Sequence, residues 1–409
     1  MNKDRYLSGR EAAAELGVKL PTLYAYVSRG LIRSEPAGGT GRNRRYRAED
    51  VRKLKERKEQ RRDPSRLTEN ALHWGMPVME SAITLIADGR LYYRGRDAVA
   101  LSESHTLEQV AEFIWTGRFP NGESAVFDSA SDAPALHSRA VNEVSRELAP
   151  VEAFGVSLRL AAAEDPAAYD LRPTAVARTG ARLLRLLAAT AVGGRSAGIS
   201  VGRTLQQSWA PDEPQAATLL DAALILCADH ELNVSSFTAR CVASAGATPY
   251  AATIAGLCAL GGVKHGGNTE RVEAFLKEVG SADHVRDVMA ARLRRGEPIP
   301  GFGHPLYPEG DPRGKALLEA TATTYPEASA VELASTVVEE ASDLIGEHPT
   351  VDFGLVILSL AMGLPASGAL TLFALSRTVG WIGHAIEQYQ SDRMIRPKAR
   401  YTGEHPLDS

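Results

Sequence analysis

The sequence predicts a mainly α-helical protein assembled from two modules of opposite charge. Three observations carry that reading. The chain has 409 residues, and at about 100–200 residues per domain that length makes two or three domains. The net charge of −4 averages over an asymmetry: residues 1–62 hold 17 Lys and Arg against 8 Asp and Glu, and the remainder holds 29 against 42. A basic head on an acidic body points to modules with different partners. Apolar residues recur at helical spacing through most of the chain, with a single clear strand signal. At 44% hydrophobic and 23% charged residues, the composition excludes a mainly disordered chain, a collagen or a small disulfide scaffold.

In the head, Ser8-Gly9-Arg10-Glu11 fits a capping box that opens a helix. Ala12, Ala13 and Leu16 give that helix an apolar face, and Gly17 stops it. Pro21 suits the first position of a second helix carrying Leu23, Tyr24 and Val27, which Gly30 ends. Two short helices around a tight glycine turn make a helix-turn-helix signature. The stretch from Pro36 to Arg47, with Arg42, Arg44, Arg45 and Arg47, predicts a hairpin wing, and a charged third helix is expected from about Ala48 to Arg62. The segment resembles the winged helix-turn-helix domains of the MerR and excisionase type: AAAELGV in the first helix, TLYAY in the second, GLI at the exit and RRY in the wing. That resemblance implies that Thr22, Tyr24 and Ser28 face a major groove and that Arg42, Arg44, Arg45 and Arg47 sit against phosphates. A dimerisation or protein-contact arm is the competing use of such a fold. Residues 60–67, QRRDPSRL, read as a linker.

The body begins with a β-hairpin: Ala82 to Ile86, a turn at Asp88-Gly89, then Leu91 to Tyr93. Helices are expected over 108–117, 137–149, 175–193, 215–228, 249–260, 270–279, 284–295 and 330–345. Phe353 to Leu375 carries no charge and is long enough to cross a bilayer, but Gly363 to Gly368 interrupts it, so two buried helices joined by a turn are expected. Cys227, Cys241 and Cys258 form no CxxC pair, and three cannot all pair within the chain. This fits a reducing compartment. The N-terminus has no apolar signal core, so a cytoplasmic protein is expected.

Among the ten histidines, three stand in unusual settings: His230 opens His230-Glu231-Leu232-Asn233, His265 lies in Gly261 to Asn268, and His304 lies in Pro300 to Tyr307. Flanking glycines permit close backbone approach, yet for any one loop alone a hydrogen-bonded core histidine is the better reading. No metal is expected, because HExxH, CxxC and close histidine pairs are missing. Neither a serine-hydrolase elbow nor a dinucleotide fingerprint is expected. Arg313 after Asp311-Pro312, Arg377 on an apolar helix, and Arg396 before Pro397 are suited to clasping carboxylates.

Taken in order, HELNVSSFTAR, GGVKHGGN, GFGHPLYPEGDPR, TVDFG, LSRTVGWIGHAIEQ and RMIRPKARY strongly resemble citrate synthase. DGRLYYRGRDAVAL and FIWTGRFP resemble its N-terminal region, and the likeness spans about residues 67–403. It implies a mainly α homodimer whose large domain carries an inserted smaller one. The domains would be a head at 1–62 and a body at 67–409, with the small subdomain at about 267–363. By this resemblance His265, His304 and Asp352 are catalytic, while His230, Arg313, Arg377 and Arg396 contact oxaloacetate. Arg396 would come from the partner subunit.

The implied chemistry suits these residue types. Asp352 takes the proton from the methyl of acetyl-CoA, and His265, as neutral imidazole, donates to the enolate oxygen. His304 donates a proton to the carbonyl oxygen of oxaloacetate as the new C–C bond forms. Thioester hydrolysis then gives citrate and CoA, with no resident cofactor. The family loop carries a basic residue four positions after its histidine, where this chain has Pro308. The CoA grip then falls to Lys264 or Lys315. 2-Methylcitrate synthesis from propionyl-CoA differs by one methylene, worth about 1–3 kcal/mol in a pocket. A DNA-binding regulator sensing a CoA thioester or a dicarboxylate is the other class of function.

Overall fold

The computed structural model describes residues 6–28, 31–36, 44–48, 50–51, 54, 79–128, 148–194, 200–399 and 401–404. Contacts divide the chain into a head unit within the first 80 residues and a body unit from Ser81 onward.

The head starts with a short strand, β1 (Tyr6–Ser8), that runs into α1 (Gly9–Glu15). The expected capping box is present: Glu11 N–H donates to Ser8 Oγ (3.3 Å), and Ser8 N–H donates to Glu11 Oε2 (2.8 Å). Helix α2 (Leu20–Ser28) begins one residue before Pro21. Strands β2 (Ser34–Pro36) and β3 (Arg44–Arg47) pair antiparallel as the expected wing. The wing is wider than the sequence predicts, because β1 joins β3 from the other side, Tyr6 facing Arg47. Ala12, Ala13, Leu16, Leu23, Ile32, Tyr46 and Val51 form the head's core. Arg33 closes it with two guanidinium bonds to Asp50 (both 2.9 Å), which hold the Asp50 carboxyl down at about 2. Of the third helix, Ala48, Asp50, Val51 and Leu54 are described and helical; Arg42 and the linker at 60–67 lie outside the described residues.

The body opens with three antiparallel strands, β4 (Thr84–Ala87), β5 (Arg90–Tyr93) and β6 (Arg96–Asp97). The predicted Asp88-Gly89 turn joins the first two. Helices follow: α3 (Ala98–Ser104), α4 (Leu107–Thr116), α5 (Ala125–Asp128), α6 (Pro150–Glu164), α7 (Pro173–Ala191), α8 (Val201–Trp209), α9 (Ala216–Leu226), α10 (Val234–Ala243) and α11 (Pro249–Leu260). The remainder are α12 (Asn268–Val279), α13 (Val285–Arg294), α14 (Pro312–Thr324), α15 (Ser329–Ile345), α16 (Val351–Ala361) and α17 (Gly368–Ser391). The helix expected over 137–149 falls outside the described residues except at its last two positions. The uncharged span does divide into two helices, α16 and α17, and no described helix is long and apolar enough to cross a membrane.

Helix α17 organises the body. It is buried on every side from Gly368 to Ile386 and largely apolar, as a helix is when others surround it, with Arg377 and His384 among its few buried polar groups. Helices α7, α10 and α11 pack against it. At Gly256 of α11 a Cβ would lie 2.5 Å from Trp381 Cδ2, so the indole seats directly on that helix's backbone. Thr84 Oγ1 donates to buried Asp229 (2.5 Å), whose carboxylate also bonds His384 Nε2 (3.2 Å), which ties β4 to α17.

Candidate active site

The turn after α9 carries His230 into the interior. Its Nε2 lies 3.0 Å from Tyr307 Oη, and burial together with Arg313 and Arg377 pushes its pKa well below the ordinary histidine value. Three residues on, Asn233 caps α10, its Oδ1 accepting from the N–H groups of Ser235 and Ser236. That cap places Ser235 Oγ 2.9 Å from His265 Nε2, while Trp381 Nε1–H donates to the same oxygen (3.2 Å).

His265 sits in the glycine turn between α11 and α12. Burial, reinforced by Arg377, lowers its pKa to about 4, so the ring is neutral at neutral pH. Its turn is linked directly to Asp352. The N–H of Asn268 bonds the His265 carbonyl (3.1 Å), and the Asn268 side chain bonds the Asp352 carboxylate.

His304 stands 5.4 Å from His230, ring centre to ring centre. Gly303 before it has φ +77, and a Cβ there would lie 2.7 Å from the Glu347 carboxylate, so the loop requires glycine. His304 Nδ1 accepts from Leu306 N–H (3.2 Å), which leaves the ring hydrogen of the neutral imidazole on Nε2. Burial, with Arg313, lowers this pKa also to about 4.

Asp311 joins the next two groups. It accepts from Arg313 Nε (2.9 Å), Arg313 Nη2 (2.8 Å) and the N–H groups of Arg313 (3.0 Å) and Val351 (3.1 Å). Burial works against the charge of Arg313, and Asp311 outweighs it. One carboxylate therefore fixes the start of α14 to the start of α16. At Gly314 a Cβ would lie 2.6 Å from the backbone of Thr350, so only glycine lets these two helix ends meet.

Asp352 is the second residue of α16. It is half-buried, and burial raises its pKa above the usual carboxylate value against the pull of Arg313. Thr350 Oγ1 reaches Asp352 Oδ2 at 3.4 Å. Arg377, only 1% exposed, donates from Nε to the Cys227 carbonyl (2.9 Å) and lies over the Phe373 ring. Six of the seven expected chemical residues thus belong to one linked set of elements.

Arg396 does not join them. It is exposed in the tail after α17, and the neighbouring Ile395 N–H bonds Ser244 Oγ (3.1 Å). Ser244 stands at the far end of α10 from Ser235, about 14 Å at 1.5 Å per residue. Lys264 and Lys315 are both exposed, and Lys315 pairs only loosely with Glu319 (3.9 Å). Among the described residues no group of three or more His, Cys, Asp or Glu side chains is placed to hold a metal ion.

Sequence reasoning passed over Ser235, Asn268, Tyr307 and Asp311. It also passed over Gly198-Ile199-Ser200-Val201-Gly202, which does match G-x-S-x-G. Ser200, however, is the N-cap of α8, its Oγ accepting from Arg203 N–H (3.4 Å), which is a structural task rather than a nucleophile's. In the head, Thr22, Tyr24, Ser28, Arg44 and Arg45 are exposed and Arg47 is half-buried. Glu35 pairs with Arg45 (3.6 Å) and Arg47 (4.0 Å) across the wing.

Comparison with known proteins places this constellation. Residues 71–398 match the family model for the citrate synthase C-terminal domain, and residues 6–59 match that for a helix-turn-helix domain. A citrate synthase of Haloferax volcanii is 33% identical over 365 residues, spanning 82% of this chain and 96% of that protein. A 2-methylcitrate synthase of Mycobacterium tuberculosis is 28% identical over 355 residues, spanning 80% of this chain and 89% of that one. The crystal structure of the Thermotoga maritima citrate synthase matches with a TM-score of 0.71 at 28% identity, over 82% of this chain and 96% of that one. The fold and site define a transferase. The chain belongs to the citrate synthase family, with a helix-turn-helix domain ahead of the enzyme.

Proposed function

We propose that the body condenses acetyl-CoA with oxaloacetate to give citrate and CoA, with Asp352 as base. The observation that carries this reading is the joint held by Asp311, which sets a raised-pKa carboxylate at the start of α16 beside a permanently charged Arg313. Asp352 removes a methyl proton from the thioester. His265 stabilises the enolate oxygen from Nδ1–H. For that, the single hydroxyl hydrogen of Ser235 must point to His265 Nε2 rather than to Asn233 Oδ1 (2.7 Å), which assigns the ring hydrogen to Nδ1. His304 presents Nε2–H to the ketone oxygen of oxaloacetate, whose carboxylates are held by Arg313 and Arg377, by His230 as a neutral donor, and by Arg396 of a second copy in a homodimer. Attack of the enolate carbon forms the C–C bond as the ketone oxygen gains its proton. Water then cleaves the thioester.

The steps call for no resident cofactor, and Lys264 and Lys315 are the candidates for the CoA phosphates. The domain division at 1–62 and 67–409, with a small subdomain at 267–363, and a cytoplasmic location belong to the same reading. Relatives of both names match at similar identity, so propionyl-CoA is the second candidate substrate. Thiol release with oxaloacetate and each thioester tests the proposal. Release above background with acetyl-CoA or propionyl-CoA supports the family chemistry, and their kcat/KM ratio names the substrate. No release with either, from folded protein, removes it.

The head is proposed to bind DNA through α2 and the wing. Binding should weaken with salt at a log–log slope of about −0.9 per neutralised phosphate and disappear when residues 1–62 are removed. Duplex binding by the truncated protein would place the contact elsewhere.

A further inference from the structure

The two residues that flank His230 are both gripped by one strand of the opening hairpin. Thr84 Oγ1 donates to the Asp229 carboxylate (2.5 Å), and Ile86 N–H donates to Glu231 Oε1 (3.2 Å). Both donors belong to β4, the edge strand of its sheet, which can offer backbone donors to another segment. Tyr93 stands directly opposite Thr84 across the hairpin and completes the grip. Its Oη accepts from Asp229 N–H (3.3 Å) and donates to the Ile225 carbonyl (2.9 Å). Asp229 and Tyr93 are fully buried, so these bonds do not compete with water.

The turn needs such holding. Glu231 has φ +51, the left-handed region that a residue with a Cβ enters only at a cost. Helix α17 leaves the turn no slack. Gly380 N–H donates to the Ala228 carbonyl (3.0 Å), His384 Nε2 bonds the Asp229 carboxylate (3.2 Å), and a Cβ at Gly380 would collide with that carboxylate. The hairpin and α17 therefore fix both neighbours of His230, and with them the direction in which its ring leaves the backbone.

We propose that Thr84 is a positioning residue for His230: through Thr84 and Ile86 the hairpin sets where the imidazole stands for the dicarboxylate substrate. Thr84 itself touches no reacting atom and acts through Asp229. The inference rests on the reading of His230 as an oxaloacetate contact, and not on the proton transfers assigned to Asp352 and His304.

The test is titration calorimetry of oxaloacetate on the full chain, with thiol release and urea unfolding on the same preparations. Thr84→Val keeps the branched shape and removes the hydroxyl, and it should weaken oxaloacetate by about tenfold or more while leaving the KM for the thioester unchanged. Thr84→Ser keeps the hydroxyl and should bind within about threefold of wild type. Ile83→Val trims a fully buried side chain that packs at Gly383, so it should lower the urea midpoint and leave oxaloacetate affinity unchanged. A second pair holds the proposal to account if Thr84→Val fails to fold. Glu231→Gln and Glu231→Gly both remove the charge, but only glutamine keeps an acceptor for Ile86 N–H, so the glycine variant should bind oxaloacetate more weakly than the glutamine one. Oxaloacetate binding by a wild type that releases no thiol would remove the condensation reading and leave the grip on His230 to be read from affinity. A wild type that does not bind oxaloacetate would overturn both. Equal affinity of Thr84→Val and wild type, equal affinity of the two Glu231 variants, or a loss in Ile83→Val as large as in Thr84→Val would each overturn the positioning role alone.

Discussion

At the residue scale the proposed chemistry rests on Asp352 and on the two loop histidines, His265 and His304. Asp352→Asn keeps shape and removes the proposed base, and His304→Ala removes the proposed donor. Each is expected to lower kcat by about 10²–10⁴-fold in the thiol-release assay, and a loss under about tenfold in both would defeat the assignment. A pH consequence follows from the same groups. Burial holds the pKa values of His265 and His304 down at about 4, below the ordinary histidine value of about 6.5. Between those values the unfolded chain binds more protons than the folded one, so stability is present above about pH 6.5 and is lost as pH falls toward about 4. Urea midpoints should therefore fall over that window. The fall should be shallower in a His265→Gln/His304→Gln double variant, because glutamine has no proton to gain. An identical acid slope in both proteins would show that these rings are not the groups responsible.

The start of α14 meeting the start of α16 is the decisive contact at the scale of elements. Gly314→Ala would place a methyl 2.6 Å from the Thr350 backbone, which cannot yield as a flexible side chain can. Overpacking of this kind costs about 1–3 kcal/mol, and a misplacement of about 1 Å at reacting groups can cost about 10²-fold in rate. The expected result is a kcat loss larger than the stability loss explains, measured by assay and urea unfolding on the same preparation. A fully active Gly314→Ala enzyme would show that the joint does not set the geometry. This contact also marks the limit of what the sequence discloses. The capping box at Ser8 and Glu11, the Asp88-Gly89 turn and the break between α16 and α17 depend on residues within a few positions, and each was legible. Strand β1 was not, because its partner β3 lies some forty residues away. Asp311 was not either. Locally it is the helix cap expected of an Asp before Pro312, and its second task is visible only once Val351 arrives from the other side. Five of the six motif blocks carry the residues that meet, and the sixth carries Arg396, which stands apart; the tie between His265 and Asp352 runs through Asn268, whose side chain advertises nothing by itself.

Arg396 raises the question of the whole molecule. Its anchor at Ser244 stands at the end of α10 opposite Ser235, so within one chain the tail leads away from the linked set. A guanidinium set apart from its own site is what a symmetric dimer needs if each copy completes the other. Arg396→Ala should then leave every site of its dimer without one clamp, and Asp352→Asn should leave every site without its base. Mixing the two inactive variants equally and letting the subunits reassort gives mixed dimers for about half the population. In each mixed dimer one site has its own Asp352 and the partner's Arg396, and the other site lacks both. Activity should rise from near zero to about a quarter of wild type, given independent sites. If Arg396 served its own chain, every site would still lack one group after exchange and nothing would return. Subunit exchange can be followed independently by mass differences between tagged chains, so an unrecovered activity in an exchanged population would place Arg396 outside the partner's site and remove the shared-site dimer.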